Sequence, residues 1–357
     1  MTIDVHGHLS PPWLAERYPM PPALCDVEGM IEAKLAAGVR MTVVGSPVGA
    51  GAMVPAPGVD NYAQPEGDLE RLHDWLADTV RAHSEHLRGY VYVNPLGGPD
   101  HLARAAARVR EPEFVGFIVN SSVRGRYLDA PEAEDFFALA EEAAVPVLVH
   151  APALPACGQG LDDLALLERV GRYCDVAVGL AVLARAGVLD RHPGLRLIAA
   201  AAGGALAMLA ARLDAVGGPP SGVTAGPNGG RNGGPGGPNG GSNGRPGGSG
   251  RPPGATGRPG GQPALRPGDA LRRIHADTAS PGAESLRALL SFFGPERVLY
   301  GTDSPPLGAD AVSGPLRLLA DELPDADVRA GVLAHNALRL FPRRLSPGTT
   351  TLTGRTS

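Results

Sequence analysis

Lys34 is the only lysine in 357 residues; the rest of the 32 cationic Lys and Arg side chains are arginine. With 50 Gly and 36 Pro, this reads as the product of a GC-rich genome. Cysteine is nearly as scarce. Cys25, Cys157 and Cys174 are odd in number and lack metal-type spacing, which excludes a disulfide framework and fits reduced thiols in a cytoplasm. Cys157, although close behind His150, reads as an ordinary thiol. No run of eighteen apolar residues is present, so no transmembrane helix is expected. A basic segment followed by an apolar one is also missing from the N-terminus, so no secretory signal is expected. Positive charge is not in excess. The formal net charge of -5 argues against nucleic acid or an anionic membrane as the main partner. The expected partners are a small-molecule substrate and a second copy of the chain in a homodimer. What is present, 43% hydrophobic and 19% charged residues, describes a globular chain with ample core.

Short apolar runs alternate with helical patterns along the whole chain. Strands are expected at 2–5, 40–45, 89–94, 114–120, 145–150, 195–201, 273–277 and 297–303. Most are continuous apolar runs, as in parallel strands buried on both faces. Helical patterns lie at 27–37, 68–86, 101–110, 131–143, 161–170, 176–190, 206–215 and 280–293. Eight βα repeats in one chain point to α/β architecture, a closed (β/α)8 TIM barrel, with a doubly wound open sheet as the alternative. Residues 1–216 and 265–343 make up this single barrel. Between them, residues 217–264 hold about 30 Gly and Pro in roughly 48 positions and no acid, a low-complexity insertion expected to be disordered. The insertion falls at an αβ connection, away from the end of the barrel where chemistry is expected. Residues 344–357 are expected to form a flexible tail.

Chemistry gathers at strand ends. His6-Gly7-His8 follows the first strand directly, and residues i and i+2 of a strand share a face, so both imidazoles aim at one point. Alone the pattern is weak, since chance gives about one such pair in every four chains of this histidine content. Its company strengthens it. His150 closes the fifth strand and Asp303 the eighth, all on the C-terminal face where barrel enzymes assemble their sites. Three imidazoles and a carboxylate suit one divalent ion, with zinc first and manganese or iron next. Such an ion lowers the pKa of bound water to about 7. His73, His83, His86 and His101 read as solvated, and His192 as a surface residue. Arg124 and Arg126 follow strand four on the same face and are candidates to hold a substrate carboxylate. Trp13, just past His8, is a candidate lid over the site.

Several stretches resemble the amidohydrolase-related family, in particular its branch of metal-dependent decarboxylases typified by aminocarboxymuconate-semialdehyde decarboxylase. They are Ile3-Asp4-Val5-His6-Gly7-His8, residues 120–129, 145–150 and 187–196, Gly203-Gly204-Ala205-Leu206, residues 299–305 and Asn336-Ala337. The resemblance covers nearly everything except the insertion and the tail. It implies that His6, His8, His150 and Asp303 ligate one metal. Binuclear relatives commonly bridge two metals with a lysine after strand four, where this chain has Asn120-Ser121-Ser122. The resemblance also implies a histidine two residues before Gly203-Gly204, where it orients or activates the metal-bound water; here that place is Ala201. A positioned acid or base is worth about 10² to 10⁴ in rate. Asp303 acting alone as base, or His275 reaching across from strand seven, are the candidate replacements. Three functions follow. The first is decarboxylation of a small unsaturated or aromatic acid, in which metal-bound water and an acid/base group protonate the substrate carbon before the C–C bond breaks. The second is hydrolysis of a lactone, amide or thioester with Asp303 as proton shuttle. The third is a catalytically silent metal-containing binding protein.

Overall fold

The computed structural model describes residues 1–56, 58–215, 265–279, 282–305, 310–341 and 345. The insertion at 217–264, the Ser280-Pro281 start expected for a helix, and the tail apart from Leu345 lie outside the described residues.

Eight parallel strands follow one another in chain order: β1 Thr2–His8, β2 Val39–Gly45, β3 Leu87–Tyr92, β4 Phe114–Asn120, β5 Pro146–His150, β6 Arg196–Ala199, β7 His275–Asp277 and β8 Val298–Leu299. The sheet closes on itself. Val5 N donates to Tyr300 O at 3.0 Å, Asp303 N to His6 O at 2.8 Å and His8 N to Ser304 O at 3.1 Å. These bonds join the segment after β8 to β1 and overturn the open-sheet alternative; the fold is a (β/α)8 barrel. Ile3, Val5, Met41, Val43, Ile118, Leu148, Ile198 and Leu299 fill its interior, each almost wholly buried. A fully buried side chain of this size contributes about 1.5–3 kcal/mol. A second apolar layer, with Phe114, Phe117, Phe136, Leu180 and Leu183, packs the strands against the outer helices. Among the described residues, no helix is long and apolar enough to cross a membrane.

Two departures from the expected elements matter for the site. The strand expected at 195–201 stops at Ala199, because Ala201 and Ala202 take left-handed φ of 53° and 56°. The two helices expected at 161–170 and 176–190 are instead one helical run. Leu164–Leu166 continues through a π turn at Leu167–Gly171 into Arg172–Arg185. A π turn breaks the 3.6-residue rhythm by which helices are read in sequence.

Three histidines read as exposed are buried, each because its ring finds partners. His101 lies between Glu66 at 2.9 Å and the Asn94 amide at 3.0 Å, and His192 between Glu141 at 3.0 Å and Glu134 at 3.1 Å. His73 accepts from the Tyr92 amide at 3.1 Å. Burial, aided by Arg108, pushes the His73 pKa from 6.5 to about 3. Between those values the unfolded chain takes up a proton that the folded chain refuses. Stability is therefore fully present above pH 6.5 and should fall by about 1.4 kcal/mol per pH unit as acid is added. His73→Gln, which keeps an acceptor for Tyr92, should flatten denaturant midpoints between pH 6 and pH 4 (about two units). An unchanged slope would assign the acid sensitivity to other groups.

Candidate metal centre

The spacing of His6 and His8 does not by itself aim them inward. Ile3 and Val5 face the barrel interior, so strict alternation from them would turn both imidazoles outward. A bulge corrects this. Asp4 lies opposite Thr42 and Gly7 opposite Val44, so three steps along β1 meet two along β2. Gly7 then takes the outward position. A Cβ there would sit 2.6 Å from Thr42 Cγ2, which is why glycine separates the two histidines. His150 ends β5. Asp303 follows β8 in a left-handed backbone conformation, with φ of 54°.

Each imidazole is fixed by its Nδ1. His8 Nδ1 donates to Gly45 O at 2.9 Å, His150 Nδ1 donates to Ala151 O at 2.8 Å, and His6 Nδ1 pairs with Asp277 Oδ2 at 2.6 Å. A carbonyl only accepts, so His8 and His150 carry their proton on Nδ1 and present a bare Nε2 lone pair. The three rings stand perpendicular to one another within 3°, with centroids 4.9–5.1 Å apart. Their Nε2 atoms converge. His6 and His8 Nε2 are 3.1 Å apart, and Asp303 Oδ1 lies 2.8 Å from His8, 3.6 Å from His6 and 3.9 Å from His150. Ligand bonds of about 2.0–2.2 Å place donor pairs about 3–4 Å apart, so the four atoms fit one ion. Buried lone pairs facing one another at that range repel unless a cation lies between them. Burial, reinforced by the neighbouring histidines, pushes His150 down to about 4 despite Asp303. Burial opposes ionisation of Asp303, yet the surrounding imidazoles hold its carboxyl well below the usual range.

A second layer supports the ligands. Asp277 orients His6 through Oδ2, and its Oδ1 accepts from the Ala202 amide at 3.2 Å and the Ala279 amide at 3.1 Å. The left-handed turn at Ala201 and Ala202 is thereby tied to a ligand. Lys34, read in sequence only as a residue of the first helix, is buried against the barrel. It pairs closely with Asp4 and donates to Thr302 Oγ1 at 2.6 Å. Asp4 in turn accepts from the His6 amide at 2.9 Å and from Thr302 Oγ1 at 2.7 Å. This network joins the strand bearing His6 to the residue preceding Asp303. An acid inside the apolar run Ile3-Asp4-Val5 was its only sequence signal.

The other candidates lie elsewhere. Arg124 pairs with Asp60 at 2.6 Å and Arg126 with Glu132 at 2.9 Å, both about half exposed. Arg124 and Gly125, with φ of 49° and 74°, form the tip of a hairpin between Ser122–Val123 and Arg126–Tyr127. Arg124 lines a cavity of about 530 Å³ with Tyr62, Leu154 and Leu161, and none of the four clustered residues borders it. Trp13 packs against the inner core, with the Arg71 guanidinium 4.4 Å from its ring. His275 starts β7, at the opposite end of the barrel from the cluster. Burial, with Arg297, Arg339 and Arg196, pushes its pKa down to about 4. The structure therefore gathers His6, His8, His150 and Asp303, and leaves His275, Arg124, Arg126 and Trp13 outside the group. A cavity of about 310 Å³ opens onto the cluster, bordered by His150, Asp303, Ala201, Arg172 and Glu168.

Fold and site together define an enzyme of the amidohydrolase superfamily. The chain belongs to the amidohydrolase family, whose model matches residues 3–343. Among solved structures it is similar to 2,6-dihydroxybenzoate decarboxylase from Rhizobium, with TM-score 0.68 and 20% identity, over 96% of this chain and 98% of that one. It is likewise similar to 5-carboxyvanillate decarboxylase from Sphingomonas paucimobilis, with TM-score 0.70 and 19% identity over 96% and 98% of the two chains. A third similar structure is a dihydroxybenzoic acid decarboxylase from Polaromonas, solved with bound manganese and the inhibitor 2-nitroresorcinol. Its TM-score is 0.70 at 18% identity, over 96% of each chain. No curated protein matches the sequence.

Proposed function

We propose that this chain is a metal-dependent carboxy-lyase acting on a small aromatic or unsaturated carboxylic acid. The observation that carries the reading is the convergence of three Nε2 atoms and one carboxylate at the head of a cavity of about 310 Å³. The donor set fits one divalent ion. Zinc suits two or three nitrogens with an oxygen, and the manganese of the Polaromonas decarboxylase keeps that metal in the comparison. When bound, the ion supplies a Lewis acid at the edge of the cavity. Ala151, Ala200, Ala201 and Val176 give that cavity an apolar wall suited to a flat ring. Residues 1–216 and 265–343 make one catalytic barrel in this reading.

Ala201 sets the rate. Its methyl borders the cavity beside His150 and Asp303 and can neither give nor take a proton. Asp303 is left as the carboxylate that borders the cavity beside His150 and could accept a proton there. The same observation favours a second reading, hydrolysis of an activated ester, lactone or thioester, in which Asp303 accepts a proton from water. Ala201 has φ of 53°, a region that His tolerates better than most side chains. Ala201→His should therefore fold and raise decarboxylation of aromatic acids by about 10² to 10⁴. Wild type and variant, loaded with zinc or with manganese, are to be screened against aromatic acids, lactones and thioesters. Wild-type decarboxylation at about 1–10³ s⁻¹ would overturn the role given to Ala201. Ester cleavage by the wild type, abolished in Asp303→Asn, would establish the hydrolase instead.

A further inference from the structure

Arg172 occupies a place that neither of the candidate loop arginines reaches. It borders the same cavity as His150, Asp303 and Ala201, and its side chain is only 14% exposed. Its Nε is buried and has no hydrogen-bond partner among the described residues. One terminal nitrogen pairs closely with Glu168, one helical turn earlier; the other lies 3.5 Å from Ala151 O, next to a metal-ligand candidate. A buried guanidinium donor without an acceptor is costly, more so than a neutral polar group. The side chain forms part of the cavity wall and keeps one buried donor that no described protein group accepts.

The scaffold holds Arg172 in place. Asp175, three residues on and fully buried, accepts from Ser121 Oγ and Ser122 Oγ and from the Cys157 amide at 3.2 Å. These contacts fasten the helix to the ends of β4 and β5. Gly204 approaches so closely that a Cβ there would lie 2.1 Å from Tyr173 O, which locks the turn after Ala201 against the residue beside Arg172. The π turn at Leu167–Gly171 supplies Glu168 and Arg169 to the same wall. The cavity wall carries Arg169 and Arg172 against Glu168 and Asp303; Asp303 faces the imidazoles, and Glu168 pairs with Arg172.

We propose that Arg172 is the specificity-determining residue of the cavity and takes a carboxylate of the substrate, with Glu168 as a built-in competitor for its guanidinium. The proposal deepens the carboxy-lyase reading and rests on it only for the identity of the anion. Calorimetry with benzoate and its neutral analogue benzamide tests it on metal-loaded and on chelator-treated full-length protein. Wild type should prefer benzoate. Arg172→Met should weaken benzoate by about tenfold to a hundredfold and leave benzamide within about threefold. Arg172→Lys, which keeps charge but loses the planar fork, should fall in between. Glu168→Gln should tighten benzoate severalfold, an effect of opposite sign that a merely structural role would not produce. The Arg172 effect should persist after chelation, so loss of the metal reading alone would leave it standing. Equal benzoate affinity in wild type and Arg172→Met would overturn the proposal, as would parallel losses of benzoate and benzamide. Should Arg172→Met not fold, the decision passes to Arg172→Lys and Glu168→Gln, and no change in either overturns it.

Discussion

Protein purified with excess zinc or manganese and then desalted will retain one ion per chain, and His150→Ala will retain none. The expectation follows from the geometry of Nε2 lone pairs held around one point, with Asp303 Oδ1 2.8 Å from His8 and 3.6 Å from His6. Removing a ligand costs more than removing one of its outer partners, which already lowers affinity about tenfold to a hundredfold. Elemental analysis before and after competition with a chelator measures both. Because His150 lies at the end of a fully buried strand, circular dichroism must show the variant folded before the result counts. Stoichiometric metal in folded His150→Ala would refute the four-ligand centre. Two ions per wild-type chain would refute its mononuclear character.

The largest effect on stability is expected at Lys34. Replacing it by Met leaves Asp4, wholly buried, without its cation. Breaking a buried pair from one side typically costs about 3–5 kcal/mol, whereas replacing both partners by apolar groups is often neutral. Lys34→Met should lower unfolding free energy by about that amount, and adding Asp4→Leu should recover part of it. Denaturant titration measures the cycle. Loss of about 1 kcal/mol or less in the single variant would mean that the pair behaves like a solvated one. Since Asp4 also accepts the His6 amide and the Thr302 hydroxyl, Lys34→Met should weaken metal retention as well.

The barrel and the four clustered residues were legible in the sequence because the residues lie at or just beyond the C-terminal ends of three strands. Period and strand polarity suffice to bring the ends of β1, β5 and β8 to one face. Features that depend on partners distant in sequence were not legible. The bulge that turns His6 and His8 inward shows only in the register between β1 and β2. Lys34 and Thr302 meet Asp4 across 30 and 298 residues. Arg172 falls in the gap between the two helical patterns because the π turn at Leu167–Gly171 breaks the helical rhythm just before it. Arg124 and Arg126 follow strand four directly in sequence, but a hairpin carries them aside to exposed carboxylates.

The partners of the three imidazoles differ in what mutation can reach. His8 and His150 lean on the main-chain oxygens of Gly45 and Ala151, which every residue type possesses. A change of side chain does not remove either oxygen, although a Cβ at Gly45 would press on Tyr90 Cβ at 3.0 Å. His6 alone leans on a side chain, Asp277, which also receives the amide of the turn beside Ala201. A single codon therefore governs both the basicity of one ligand and the shape of the cavity floor. The centre thus has two legs braced by main-chain oxygens and one braced by a carboxylate, and Asp277 is the brace that a substitution can remove outright.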